Sequence, residues 1–190
     1  MAIWSQGRKT TLDKPSGITD AYIFFTPNNV QKIPNASVFG ISFFHENLDY
    51  WIDCEQAKDL WVETLKQPYP KIFRKALYRR KISEVENTYF VDLWLPSRGI
   101  ESIWHTNYGN PQMLWVGTTI GVLLNLLVYM GYLNIHFVNC NVVGYENYAL
   151  RIFLFEFAEI AKTHGITCVS HDEHSPLNNV MKYEPLKLTL

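Results

Sequence analysis

The chain has 190 residues, 47% hydrophobic and 18% charged, which suits one packed domain and excludes a disordered chain. Its formal net charge of −1 gives no global pull toward nucleic acid or anionic lipid. Three cysteines, Cys54, Cys140 and Cys168, stand without a C-x-x-C spacing, which argues against a disulfide framework and a structural zinc site and for reduced thiols.

Residues 1–20 lack the apolar stretch of a signal peptide. They read as a loosely attached segment ahead of a single domain over 21–190, with a cytoplasmic location. Tyr22–Phe25, Ser37–Phe44 and Tyr50–Ile52 are rich in strand formers. Glu55–Lys66 is helical and stops before Pro68 and Pro70. Lys71–Lys81, "KIFRKALYRRK", reads as a basic helix, either a solvated face or an anion-facing patch with Arg74, Arg79 and Arg80. Within it Arg79 is the residue expected to meet a phosphate. Tyr89–Leu95 is a further strand.

The stretch "GTTIGVLLNLLVYMGYLNIHFVNCN", 117–141, follows. Its continuously apolar part runs only from Thr118 to Gly131, whereas a membrane helix needs roughly 20 residues. Thr118 or Thr119 caps it, Gly131 ends it, and Asn125 is the main polar interruption. A helix apolar nearly all round lies buried inside a domain. Ile135–Val138 is then a short central strand, Tyr148–Lys162 a helix ended by Gly165, and Ile166–Val169 another strand. Strands alternating with helices predict an α/β fold, with a mainly parallel, Rossmann-like sheet and helices on both faces.

Such sheets bind ligands beyond the carboxyl ends of their strands. The loops expected there are "TPNNV", "FFHENLDYWIDCEQ", "NCNVVGYENY" and "SHDEHSPLNN". Asparagine, carboxylate, histidine and tyrosine side chains concentrate in them. His171–His174, "HDEH", lacks a partner motif with metal-ligand spacing, so no metal is expected. His136, inside a strand, reads as a satisfied core histidine. No G-x-S-x-G and no phosphate-cradling glycine loop occurs.

"TTIGVLLNLLVYMGYLNIHFVNCNVVGYENY", with "SVFGISFFHENLDYWIDCEQ" and "ALRIFLFEFAEIAKTHGITCVS", resembles the core of small bacterial sialyltransferases that build lipooligosaccharide. It is also similar to a related family that includes hydroxymethylpterin diphosphokinase-like proteins. The likeness spans about Tyr22 to Asn179. It implies a nucleotide-sugar site, the donor being a substrate and no cofactor being needed. The glycine-rich first loop of that family stands here as Thr26-Pro27-Asn28-Asn29. Its asparagine after the second strand falls at Ser42, and its "D-Y-x-[VI]-x-D" segment is resembled by "DYWIDCEQ", which contains Asp53. Its arginine ahead of the helix entry falls at Gly117, and its histidine ahead of the last helix has no counterpart. Tyr145 and Tyr148 occupy the region of its phosphate-stabilising tyrosines.

Three functional readings follow. In the first, the chain is a divergent transferase with a nucleotide-sugar donor. Asn28, Asn29, Thr118, Thr119 and Asn141 line its pocket, Tyr145 and Tyr148 stabilise the departing phosphate, and His171 or His174 supplies the base. In the second, it is a catalytically degenerate scaffold that binds a small ligand or a partner chain through Trp51, Trp94 or Trp104. In the third, it transfers phosphoryl or diphosphoryl groups. Self-association stays open in each.

Overall fold

The computed structural model describes residues 2–6, 8–53, 63–74, 82, 84–92, 119–144 and 148–187. Among the described residues ten strands form one sheet: β1 (Ala2–Ser5), β2 (Arg8–Thr10), β3 (Asp20–Phe24), β4 (Ala36–Ile41), β5 (Tyr50–Asp53), β6 (Lys71–Arg74), β7 (Thr88–Asp92), β8 (Asn134–Val138), β9 (Thr167–Ser170) and β10 (Lys182–Tyr183). Two α-helices among the described residues are α1 (Thr119–Met130) and α2 (Tyr148–Thr163). The spatial order is β10-β9-β8-β3-β4-β5-β6-β7-β1-β2. The eight strands from β10 to β7 run parallel, and β1 joins β7 antiparallel, with β2 outside it. The expected single α/β domain with a mainly parallel sheet is therefore the fold.

The chain builds outward from β3 to β7, then crosses back and lays β8 on the other flank of β3. The loops after β3 and β8 leave in opposite directions at that point. There the topology itself opens a crevice at the carboxyl ends.

Alternation along the strands sorts the core. Ala21, Ile23, Phe39, Ile52, Ile72, Ile135 and Phe137 face α1 and α2 and form one cluster with Leu123, Leu127, Phe153 and Phe157. Phe24, Val38, Trp51, Phe73, Phe90 and Val138 face the other way, packed by Leu65 of a helical turn at 63–65 and by Leu186. Eleven of the twelve α1 residues are buried, as its pattern demands. Asn125 survives there because its Nδ2 donates to the carbonyl of Gly121 at 2.8 Å.

Both helices end alike. Gly131 and Gly165 have φ of 77° and 74°. Tyr132 N–H returns to Leu127 O at 3.1 Å and Ile166 N–H to Ala161 O at 3.0 Å. This is the Schellman closure, in which the residue after the glycine packs back on the helix. Tyr132 and Ile166 are buried, and each leads straight into the strand that follows.

Several elements differ from expectation. Residues 71–74 of the basic run are strand β6 and not helix, because Ile72 and Phe73 are fully buried between β5 and β7. Arg79 and the rest of 75–81 lie outside the described residues, as do residues 54–62. β4 stops at Ile41 and does not reach Phe44, since Ser42 adopts φ 56°. Residues 1–20, expected to be loosely attached, supply β1 and β2 and bury Ile3 and Leu12. Trp51 is fully buried and offers no contact face; Trp94 and Trp104 lie outside the described residues.

Candidate functional site

At the crevice beside β3 and β8 lies a cleft of about 520 Å³. Its wall comes from three loops: Thr26 and Asn28 after β3, Asn139 to Asn141 and Val143 after β8, and His171 to Ser175 after β9. The three are tied together by short polar bonds. Asn139 takes φ 56°, a backbone conformation that asparagine tolerates better than most side chains. Its Nδ2 donates to Asn28 O at 2.8 Å, which joins the first loop to the second.

Asp172 joins the second loop to the third. Its two carboxylate oxygens accept the amides of Asn139 and Cys140 at 3.2 and 2.9 Å. Its own carbonyl accepts from Ser175 N and Asn178 Nδ2, both at 3.1 Å. Ser175 Oγ then caps the 3-10 turn Pro176–Asn179 by accepting Leu177 N–H at 3.2 Å. Within the cleft wall, Asn141 Oδ1 accepts Val143 N–H at 3.1 Å. Thr26 Oγ1 is buried, and among the described residues it has no hydrogen-bond partner.

His171 stands between this cleft and a second one of about 330 Å³, lined by Tyr22, Gln31, Ile33, Pro34, His171 and residues 184–187. Both its ring nitrogens are engaged: Nε2 with His136 Nδ1 at 3.0 Å and Nδ1 with Glu184 O at 2.6 Å. His136 Nε2 lies 3.3 Å from Asp20 Oδ1. Burial pushes both imidazoles below the ordinary histidine range; the Asp20 bond opposes this at His136, and the bond to the Glu184 backbone opposes it at His171.

Of the expected site residues, the fold brings Asn28, Asn141, His171 and His174 to one cleft. Asn29 follows in the same loop but is exposed, with φ 60°. Ser42 and Asp53 meet each other, Ser42 Oγ donating to Asp53 Oδ1 at 3.2 Å. Ser42 follows β4 and Asp53 ends β5, and neither lines this cleft. Thr119 is buried at the start of α1 and does not line it. Tyr148 is exposed on the first turn of α2, with the Arg151 guanidinium 5.4 Å over its ring. Tyr145 and Thr118 lie outside the described residues.

Thr26, Asn139 and Asp172 were not expected as site residues, whereas His136, expected as a satisfied core histidine, is buried with both ring nitrogens in contact. Their side chains carry no motif, and only the pairing of β3, β8 and β9 makes them neighbours. Cys140 also lines the cleft, but burial, and then the nearby Asp172 carboxylate, hold its thiol well above the ordinary range. It is a protonated wall and no nucleophile. Among the described residues no three His, Cys, Asp or Glu side chains are arranged to hold a metal, and no helix is long and apolar enough to cross a membrane. Comparison with protein-family models, curated proteins and solved structures finds no match to this chain.

Proposed function

We propose that this chain is a divergent, glycosyltransferase-like protein that takes the sugar of a nucleotide-sugar donor into the cleft at the switch point. The observation that carries the reading is the buried Thr26 Oγ1, without a partner among the described residues and set in a wall of asparagine side chains that the Asp172 clamp holds still. Hydroxyl and amide groups fixed in this way match a hydroxyl-rich ligand, since each sugar hydroxyl both donates and accepts. The described lining holds Asp172 and Glu173 and no lysine or arginine. That favours a neutral sugar ring here, with the donor's phosphate lying beyond this lining. His174 is exposed at the rim and is the imidazole left to move a proton, because His171 has no free nitrogen.

Thermal-shift titration with CMP-, UDP- and GDP-sugars, the parent nucleotides, free sugars and ATP tests this. A ligand at 100 times its Kd adds about 2.7 kcal/mol, or roughly 5–10 °C for a domain of this size. Thr26→Val and Asn141→Ala should remove the shift and leave the apo melting temperature within about 2 °C. No shift with any sugar or nucleotide sugar at millimolar concentration would end the proposal. Stabilisation by ATP alone would favour phosphoryl transfer instead.

A second reading, binding without transfer, is favoured by the engaged state of His171 and Asp172. His174→Ala separates the two. In a transferase it abolishes donor turnover while binding persists; in a pure binder no turnover exists to lose.

A further inference from the structure

Three hydrogen-bond contacts run in series on the sheet face opposite α1 and α2. Asp20 Oδ1 meets His136 Nε2 at 3.3 Å, His136 Nδ1 meets His171 Nε2 at 3.0 Å, and His171 Nδ1 meets the carbonyl of Glu184 at 2.6 Å. The register fixes them there: Tyr22 pairs with His136 and His136 with Val169, so the ring of His171, two residues on, falls on the same face. Tyr22 stacks on His136 at 4.0 Å between centroids, and the two imidazoles stack at 5.2 Å.

Counting protons makes the series unusual. A carbonyl only accepts, so His171 Nδ1 must carry hydrogen. One hydrogen is needed between the two rings and one between His136 and the carboxylate. That makes three shared by four ring nitrogens and Asp20, one more than two neutral imidazoles and an ionised Asp20 possess. Without it, either His136 Nδ1 and His171 Nε2 face each other as lone pairs, or His136 Nε2 faces the carboxylate as one. The charge-assisted Asp20 bond is the stronger of the two, so the contact between the rings is the one that parts.

The geometry points to a proton-operated link. His136 and His171 share one extra proton, and with it the pair ties the C-terminal segment 182–187 to the centre of the sheet. Residues 184–187 form a wall of the second cleft, so the proton closes that cleft and its loss loosens it. The other groups facing the pair are accounted for. On β3, Tyr22 is held neutral by burial and then by Asp20 and Glu184. On the β9 loop, Asp172 is occupied by two amides. On the terminal segment, Glu184 pairs with Lys182, and Lys187 sits at the cleft edge. On the loop before β4, Lys32 pairs with Asp49.

Ring ¹⁵N NMR of the wild-type chain from about pH 4.5 to 8 tests the link directly. Both histidines should move in one shared transition, with His171 in the Nδ1–H tautomer at the alkaline end. Hydrogen exchange of the amides of 182–184, 186 and 187, corrected for intrinsic rates, should be about tenfold slower below the transition than above it. Asp20→Asn supplies an Nδ2–H donor to His136 Nε2 and completes the series with two neutral rings. In that variant the shared transition should vanish from this range and protection of 182–187 should stay flat. Separate transitions for the two rings in wild type would overturn the link, as would an Asp20→Asn chain that keeps the wild-type pH dependence.

Discussion

Asp172 is the residue on which the candidate site turns, and its work is structural. Its carboxylate accepts two backbone amides from a neighbouring loop, so both oxygens are spent on holding that loop. It fixes the loops after β8 and β9 at one separation, and through Asn139 and Asn28 it reaches the loop after β3. Asp172→Asn leaves one of the two amides facing an NH₂ group. We expect that to cost about 1–3 kcal/mol, read as a lower urea midpoint, together with faster exchange of the Asn139 and Cys140 amides. Wild-type stability and exchange in this variant would show that the clamp does not hold the cleft.

At the scale of elements, the sheet has two unlike edges. β10 is two residues long, too short to template another chain, while β7 would present a full edge if β1 and β2 were absent. Ile3, Val91 and Ile72 lie in one core cluster, so the N-terminal strand pair buries apolar surface as well as closing hydrogen bonds. Removing residues 1–12 takes away Ile3 and Leu12, both buried. By the usual cost of deleting buried aliphatic side chains, roughly 2–5 kcal/mol each, the truncated chain should melt far lower. It should also associate through β7, visible as an increased mass in light scattering. A monomer with unchanged melting temperature would show the strand pair to be dispensable.

For the whole molecule, the buried histidines set a pH dependence. The folded pKa values of His136 and His171 lie below the ordinary value, so the unfolded chain takes up protons first. Their contribution to stability is therefore complete above about pH 6.5 and is lost as pH falls through the folded values, because the unfolded chain then binds two protons where the folded pair shares one. Urea midpoints should be level from about pH 8 to 7 and fall between about 6.5 and 5.5, before carboxylates titrate. His171→Asn should flatten part of that fall. A midpoint constant from pH 8 to 5.5 would mean the two rings are not buried in the neutral form.

How much of this was legible in the sequence depends on the range of the interactions. The apolar run 119–130, the glycines 131 and 165 and the short strands beside them declare themselves locally. Helical and strand periods and the left-handed helix ending are properties of neighbouring residues. The alternation of elements then predicts a parallel α/β sheet with a crevice at the carboxyl ends, and Asn28, Asn141, His171 and His174 line one cleft there. Lys71–Arg74 misled because six basic residues hid an apolar pair, Ile72 and Phe73, whose burial between β5 and β7 makes a strand. The Asp172 clamp and the Asp20–His136–His171 series were invisible for a different reason. Asp20 and His136 are 116 residues apart and His136 and His171 are 35 apart, and no local pattern marks a side chain for a partner at that distance. Strand order and register place them on one face within hydrogen-bond reach, so only the tertiary structure decided which histidine is bound on both nitrogens and which is exposed at the cleft rim.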